Sequence, residues 1–542
     1  MHITLPAKLA ADIAQFDGEV RQFQQHTLTA DEFKHHRVIW GIYEQRRDGA
    51  YMLRTRIPGG RLSARQARAI AALSLRHQSR LHLSTRENIQ FHDLPVGALP
   101  EIMRELLEAG IACQGGGGNT ARNVVACPLA GLCRQEQFDV TPQVAAVTEH
   151  LLAQPGSLTL PRKFKTAFSG CGADCALATV TDIGFIAKVQ DGVPGYAVYG
   201  GGGMGGAPRL AEQLATWLPA ADCVLATEAV RRIFDQRGDR TNRARARLRF
   251  AVAKMAPGEF RALFESELAR LRAASRPALP MAAVQGTGSQ ADTDGAPAVA
   301  PGNGAAPLAP PAVETVAGLR VVRQRQAGRC SVLLSIPFGH LTGSELAELA
   351  DIATRYSAEA GVRATPNQSL IIPSVTEADL PALGTALRAM APRFLQQGAV
   401  NHIVACTGAA TCRLGICHSQ EAAAALATAL DQASLPAAIL SQLDIRLNGC
   451  PNCCGQHPVG AIGLAGALQQ QDGHALPAYR LHLGARRGEG VTRFGEYVAT
   501  IPATLLPARI ASLLQEFANG RLPDECLSDY FDRLGKAHFQ SR

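Results

Sequence analysis

"NVVACPLAGLC", residues 123–133, returns as "HIVACTGAATC", residues 402–412, at a shift of 279 positions. The same shift carries "RIPGGRLS" at 56–63 onto "SIPFGHLT" at 335–342, and Cys171 and Cys175 onto Cys450 and Cys454. Three matches at one offset read as an internal duplication, and a duplication fixes the architecture before any single element does.

The pattern inside each copy agrees. Residues 50–57 read as a strand and 63–78 ("SARQARAIAALSLRHQ") have helical apolar spacing. Strands near 80–85 and 88–93 and a helix near 98–109 follow, and residues 329–393 repeat the series. The order β-α-β-β-α-β is the ferredoxin-like split βαβ unit. The expected fold class is therefore α+β, a tandem pseudo-twofold repeat in which each ferredoxin-like half-domain leads into a longer α+β segment bearing cysteines. The implied divisions are an N-terminal extension at 1–35, ferredoxin-like units at 36–115 and 314–395, and cysteine-bearing domains at 116–273 and 396–542. Between the copies, residues 274–313 are rich in Pro, Ala and Gly and too poor in large apolar groups to fold, so they read as a flexible linker. The first thirty or so residues have no place in the repeat.

Composition bounds the function. The chain has 542 residues, 46% apolar and 18% charged, with a formal net charge of +8. That suits a soluble multidomain protein acting on an anionic substrate, cofactor or acidic partner. No basic arm or basic-aromatic stripe points to nucleic acid. "MHITLPAKLAADIAQF" has no apolar signal core, and no apolar run approaches the ~20 residues of a membrane span. A cytoplasmic location is the expectation, and there the 14 cysteines favour metal or redox chemistry over disulfides.

The second copy spaces its thiols as Cys406-x5-Cys412, 38 positions, then Cys450-x3-Cys454. Four thiolates in two pairs are what an iron–sulfur cluster needs. Zinc also takes soft ligands, but its pairs are usually C-x2-C. Four buried free thiols packed as small hydrophobes are the plain alternative; Gly408, Gly449, Pro451 and Gly455 beside the pairs weigh against it. Cys113, Cys223, Cys330, Cys417 and Cys526 have no paired spacing and read as core or incidental.

"ACTGAATCRLGIC" with "NGCPNCCGQHPVGAIGLAG" resembles the sirohaem and 4Fe–4S signature of the nitrite and sulfite reductase family. The resemblance implies that Cys406, Cys412, Cys450 and Cys454 bind the cluster, that Cys454 also bridges to the sirohaem iron, and that Cys453 is not a ligand. It further implies that Arg86 ("STRENIQFHDLP"), Arg122 ("NTARNVVACP") and Lys163 and Lys165 ("LPRKFKTAF") surround the open face of the sirohaem and hold the substrate oxyanion. Chemically this is apt: arginine forks match oxyanion geometry, and ammonium groups donate protons as oxygen leaves. Solvent-facing charge on a strand is the bland reading of the same residues. Arg54 and Arg56 stand where the family uses basic residues for the macrocycle carboxylates. Arg240 and Arg243 are read either that way or as a solvated basic stretch. "YGGGGMGG" at 199–206 lacks the strand–GxGxxG–helix setting of a dinucleotide site and reads as a glycine turn or close backbone approach.

The activity implied is six-electron reduction of sulfite to sulfide or of nitrite to ammonia. "LPRKFK" resembles the sulfite version of the motif, since plant-type nitrite reductases tend to have asparagine where Lys165 stands. No flavin or nicotinamide domain is visible, so a separate ferredoxin or flavoprotein donor is expected. A non-catalytic electron carrier that kept its clusters is the alternative of another class; the set Arg86, Arg122, Lys163 and Lys165 argues against it. Finally, Cys127-x5-Cys133, 38 positions, then Cys171-x3-Cys175 reproduces the second-copy spacing without an insertion, and predicts a second 4Fe–4S cluster.

Overall fold

A computed structural model describes residues 1, 3–274 and 311–540. Apart from its ends, the linker read at 274–313 lies outside the described residues.

Both copies form the expected ferredoxin-like units. In the first, strands Tyr51–Arg54, Arg80–Leu83 and Ile89–Leu94 carry helices Ala64–Arg76 and Leu99–Glu108. In the second, strands Arg329–Leu334, Gly361–Ala364 and Leu370–Thr376 carry helices Gly343–Tyr356 and Leu380–Met390. Equivalent helices start by equivalent chemistry. Ser63 and Gln66 form a capping box, as do Thr342 and Glu345, 279 positions on.

The sheets do not close on their own strands. Arg61–Ser63 of the first copy lies antiparallel to Gly361–Ala364 of the second, with Leu62 opposite Val362. Reciprocally, His340–Leu341 pairs with Arg80–Leu83, Leu341 opposite Leu81. Each copy thus lends a short edge strand to the other and protects its edge. Gly60 and Gly339 make the crossing possible. Both hold positive φ, +68° and +76°, and a Cβ on either would strike the partner strand's backbone, at the Ala364 and Leu83 carbonyls. This is the physical content of the "RIPGGRLS"/"SIPFGHLT" match. One apolar core follows, running from Leu53, Ile70 and Phe91 through to Val332, Leu349 and Ile372.

The N-terminal extension, which the repeat left unplaced, is two helices, Leu9–Gln24 and Ala30–Val38. Leu9, Ile13, Phe16 and Val20 recur at helical spacing and bury one stripe against Phe33, Trp40 and Met103 in that same core.

Each cysteine-bearing domain is a five-stranded mixed sheet with its own core. Strands Val125–Ala126 and Thr166–Ser169 are parallel neighbours, as are Ile403–Ala405 and Ile445–Asn448. Each cysteine pair begins within two residues of the end of one of these strands. Pairs distant in sequence therefore meet at the carboxyl edge of one sheet, where open α/β sheets place ligands. Among the described residues no helix is long and apolar enough to cross a membrane.

Candidate active site between the two halves

The second-copy thiols gather around Cys454. Cys406, Cys412 and Cys450 each lie within electrostatic reach of its sulfur. The Gly449 amide donates to Cys406 Sγ at 3.1 Å and the Ser419 hydroxyl lies 3.4 Å from it. A Cβ on Gly449 would stand 2.7 Å from the Cys417 carbonyl and from Gly408 Cα, so the two cysteine loops pack back to back only because both positions are glycine. Among the described residues no three Cys, His, Asp or Glu side chains converge where a lone metal ion would sit. A cuboidal cluster takes one thiolate on each of four irons, so its ligands stand around a volume rather than a point, and this donor set suits it.

Cys453 points elsewhere. Its backbone is left-handed, at φ 58°, and its buried thiol contacts the Gly205 carbonyl at 3.4 Å and His457 Nε2 at 4.0 Å. At the equivalent place in the first copy, Asp174 has φ 50° and accepts from Ser169, Thr179 and the Ala178 amide. Both are loop-holding positions.

Across from Cys454 the first copy presents cations. Thr85, preceding Arg86, donates from its hydroxyl to the Cys454 carbonyl at 2.6 Å. Arg86 reaches from the turn between Arg80–Leu83 and Ile89–Leu94 and bonds the Asn123 carbonyl. Arg122 donates to the Gly116 and Gly118 carbonyls, each at 2.9 Å. Lys163 and Lys165 lie just before strand Thr166–Ser169, two residues apart on one face; among the described residues neither ammonium has an ion-pair or hydrogen-bond partner. Lys163 lies within electrostatic reach of the Cys454 sulfur.

The charge is only partly compensated, by Asp182 on Arg247. Burial, then Arg247 and Arg122, brings the Lys163 ammonium down to about 8, and burial followed by Arg86 pushes Lys165 well below the usual lysine range. Burial, with Arg122 and Arg86 adding to it, lowers Arg56 to about 9. Among the described residues the Nε atoms of Arg56, Arg86, Arg122 and Arg247 are buried without a hydrogen-bond partner. Buried cations with idle donors cost several kcal/mol unless an anion joins them. A tetrapyrrole rich in carboxylates and a small oxyanion satisfy that requirement, so the residues present fit sirohaem and its substrate.

The remaining basic residues divide unexpectedly. Arg56 spends its guanidinium on the carbonyls of Ala121 at 2.9 Å and Arg122 at 3.2 Å, which makes it a strut under Arg122. Arg54 donates to the Gly116 carbonyl and stacks over Tyr43. Arg240 pairs with Asp235 at the surface, and Arg243 is exposed and within electrostatic reach of Arg162, the neighbour of Lys163. The buried arginines of that stretch are Arg247, paired with Asp182 at 2.8 Å, and Arg249, which holds the carbonyls of Met204 and Ala207. Sequence reasoning missed both. Their signal was the alternation of Arg247 and Arg249 with Leu248 and Ala246 entering a helix at Leu248. Tyr43 was missed too. Burial raises its phenol, but Arg122, Arg54 and the Gly118 amide outweigh burial and bring it down to about 8.

The glycine stretch is a close approach. A Cβ on Gly202 would stand 2.8 Å from the Ala211 amide and 2.9 Å from the Thr181 carbonyl. Cys113, Cys223, Cys330 and Cys417 are buried in the cores, and Cys526 lies beside Asp529.

Comparisons with known proteins place the chain among relatives of the same fold. The profile described as "Nitrite and sulphite reductase 4Fe-4S domain" matches residues 117–271, and that described as "Nitrite/Sulfite reductase ferredoxin-like half domain" matches 43–109 and 322–390. The chain is 31% identical over 470 residues to a "Ferredoxin--nitrite reductase" of Synechococcus elongatus, covering 84% of each. It is 28% identical to a "Sulfite reductase [ferredoxin]" of Mycobacterium tuberculosis, covering 83% of this chain and 79% of the relative. The solved structure of the Mycobacterium tuberculosis NirA protein superposes with a TM-score of 0.79 at 25% identity, covering 94% of this chain and 92% of that one.

Proposed function

The chain belongs to the nitrite and sulfite reductase family, oxidoreductases that use sirohaem and a 4Fe–4S cluster, and we propose that its substrate is sulfite, reduced to sulfide with electrons from a separate ferredoxin. The observation that carries the substrate reading is the pair Lys163 and Lys165, two ammonium groups without partners among the described residues, standing with Arg86 and Arg122 opposite Cys454. Two arginines and two lysines that hold their protons once an anion joins them suit an anion that can carry two charges better than one that carries one.

Cys406, Cys412, Cys450 and Cys454 would hold the cluster, Cys454 would also serve the sirohaem, and Arg54, Arg247 and Arg249 would offer charge to the macrocycle carboxylates. Bound there, the two cofactors would pass to the anion the six electrons that the donor supplies. The protein's share is positional and electrostatic. Arg86 and Arg122 are anchored to main-chain carbonyls, so their remaining donors are already aimed when the oxyanion enters. Lys163 and Lys165, desolvated and pressed by neighbouring cations, give up a proton readily and can deliver it to a departing oxygen, which leaves as water. Arg56 keeps Arg122 in place from below.

The ferredoxin donor rests on the names of relatives on both the nitrite and the sulfite side. Nitrite reduction to ammonia is the second reading, favoured by the 31% identical relative named for nitrite. Anaerobic turnover of the purified protein with reduced methyl viologen, sulfite and nitrite assayed side by side, separates the two.

A further inference from the structure

The pseudo-twofold repeats the main-chain hydrogen bonds that frame the thiols of the two copies. The Gly170 amide donates to Cys127 Sγ at 3.2 Å, as Gly449 does to Cys406 at 3.1 Å. The amides of Cys127 and Cys133 donate to the carbonyls of Phe168 and Leu129, each at 3.0 Å. Those of Cys406 and Cys412 donate to Leu447 at 3.2 Å and Gly408 at 3.0 Å, and every atom pair is displaced by the same 279 positions. Even the outer support corresponds: Arg325 donates from its amide to the Leu132 carbonyl, and Arg46 to Thr411, both at 2.8 Å. The Cys127 and Cys175 thiols are hydrogen-bonded, and Cys133 and Cys171 each lie within electrostatic reach of Cys175.

The space beyond Cys175 differs. Where the first copy offers Arg122, Lys163 and Lys165, the second has Asn401, Gln442 and Asp444. Asp444 pairs with Arg446 at 2.9 Å and with Arg487 at 2.8 Å, so the two guanidinium groups there share one carboxylate. The segment carrying Arg487 also packs on the Cys171–Cys175 loop. The Glu489 amide donates to the Gly172 carbonyl at 2.8 Å, its carboxylate takes Lys188 at 2.6 Å, and Thr492 meets Thr179 at 3.0 Å.

We propose that Cys127, Cys133, Cys171 and Cys175 hold a second 4Fe–4S cluster that carries no sirohaem. Binding converts four thiols to iron-bound thiolates and releases their four protons to solvent. Beyond Cys175 the face lacks the counterparts of Arg122, Lys163 and Lys165, and the segment carrying Glu489 packs on the cysteine loop, which argues against a macrocycle there. The site therefore stores or passes electrons, or braces the fold, and reduces no anion. The proposal stands on this chain's own thiols and does not depend on which oxyanion is reduced.

The test is non-haem iron and acid-labile sulfide per sirohaem in the holoenzyme, isolated anaerobically, for wild type and for the Cys171→Ala, Cys175→Ala double variant. Two clusters give about eight irons per chain, falling to about four in the variant with the sirohaem spectrum retained. About four in wild type, or four irons plus one zinc, overturns the proposal. If the double variant fails to fold, the wild-type count alone decides, joined by electron paramagnetic resonance of the reduced holoenzyme: a cluster signal with no coupling to sirohaem is expected, and its absence contradicts the second site. Sirohaem content and anion turnover on the same sample report separately on the reductase reading.

Discussion

The hydroxyl of Thr85 donates to the carbonyl oxygen of Cys454 at 2.6 Å, fastening the turn that bears Arg86 to the loop that bears the proposed bridging thiol. The site is thus assembled across the two copies, as the sheets are through Arg61–Ser63 and His340–Leu341. Residues 1–274 expressed alone lack the edge strand at 340–341 and the far half of the shared core, and are expected to aggregate. Co-expression with residues 311–542 should restore a soluble complex that binds sirohaem. A soluble first half that binds sirohaem by itself would refute the shared site; the readout is size-exclusion chromatography with absorbance of the tetrapyrrole.

Neutral substitution of Arg86, Arg122, Lys163 or Lys165 should lower turnover while sirohaem and iron content stay near wild type. Removing one preorganised donor to developing charge typically costs about 2.7–4 kcal/mol of barrier. Full activity in all four variants would place the oxyanion elsewhere.

Lys163 predicts the direction of a pH effect. Its ammonium is held down to about 8, so it is charged below that value and neutral above it. The KM for the anion should rise as pH climbs through about 8, and Lys163→Arg, which keeps its proton, should flatten the rise. A pH-independent KM in the wild type would contradict this assignment.

Cys454→Ser should disturb both cofactors if, as proposed, its thiolate serves cluster and sirohaem alike. Cys453→Ser, whose parent thiol faces the Gly205 carbonyl, should leave cluster iron in place. Iron analysis and the optical spectrum of the two variants distinguish the roles, and equal losses in both would remove the distinction between these neighbours.

Glu87 gives a stability test. It is fully buried, accepts the Ala126 amide at 3.1 Å through one oxygen and leaves the other unpartnered. Gln368 fills the equivalent place in the second copy with both ends bonded, accepting from Ala405 at 2.9 Å and donating to the Leu83 carbonyl at 3.2 Å. Burial raises the Glu87 carboxyl from 4.5 to about 8. A folded-state value above the unfolded one means that the fold binds the extra proton, so stability falls as pH rises from about 4.5 and the loss is complete above about 8. Glu87→Gln should remove that slope and stabilise the protein above pH 8 by about 1–3 kcal/mol. Denaturant melts at several pH values check it, and an unchanged slope would show that the carboxyl is ionised in the fold.

The duplication and the two cysteine quartets were legible because spacing survives in sequence whatever the chain does in space. Helix Ala64–Arg76 was legible from its apolar period. The exchanged strands were not: two or three residues carry no period, and only the matched glycines at 60 and 339 hinted that the chain crosses there. The N-terminal helices carried a readable stripe at Leu9, Ile13, Phe16 and Val20 but fell outside the repeat that organised the reading. Arg240 and Arg243 drew attention as charge, whereas burial selects Arg247 and Arg249, and burial depends on tertiary neighbours such as Asp182 and Met204 that a local reading does not supply.

The most direct measurement is kcat/KM for sulfite and for nitrite, determined anaerobically with reduced methyl viologen on one preparation of the holoenzyme. Sulfide formation with the higher kcat/KM for sulfite is the predicted result; a clear preference for nitrite, or turnover of neither anion by sirohaem-loaded protein, would contradict it.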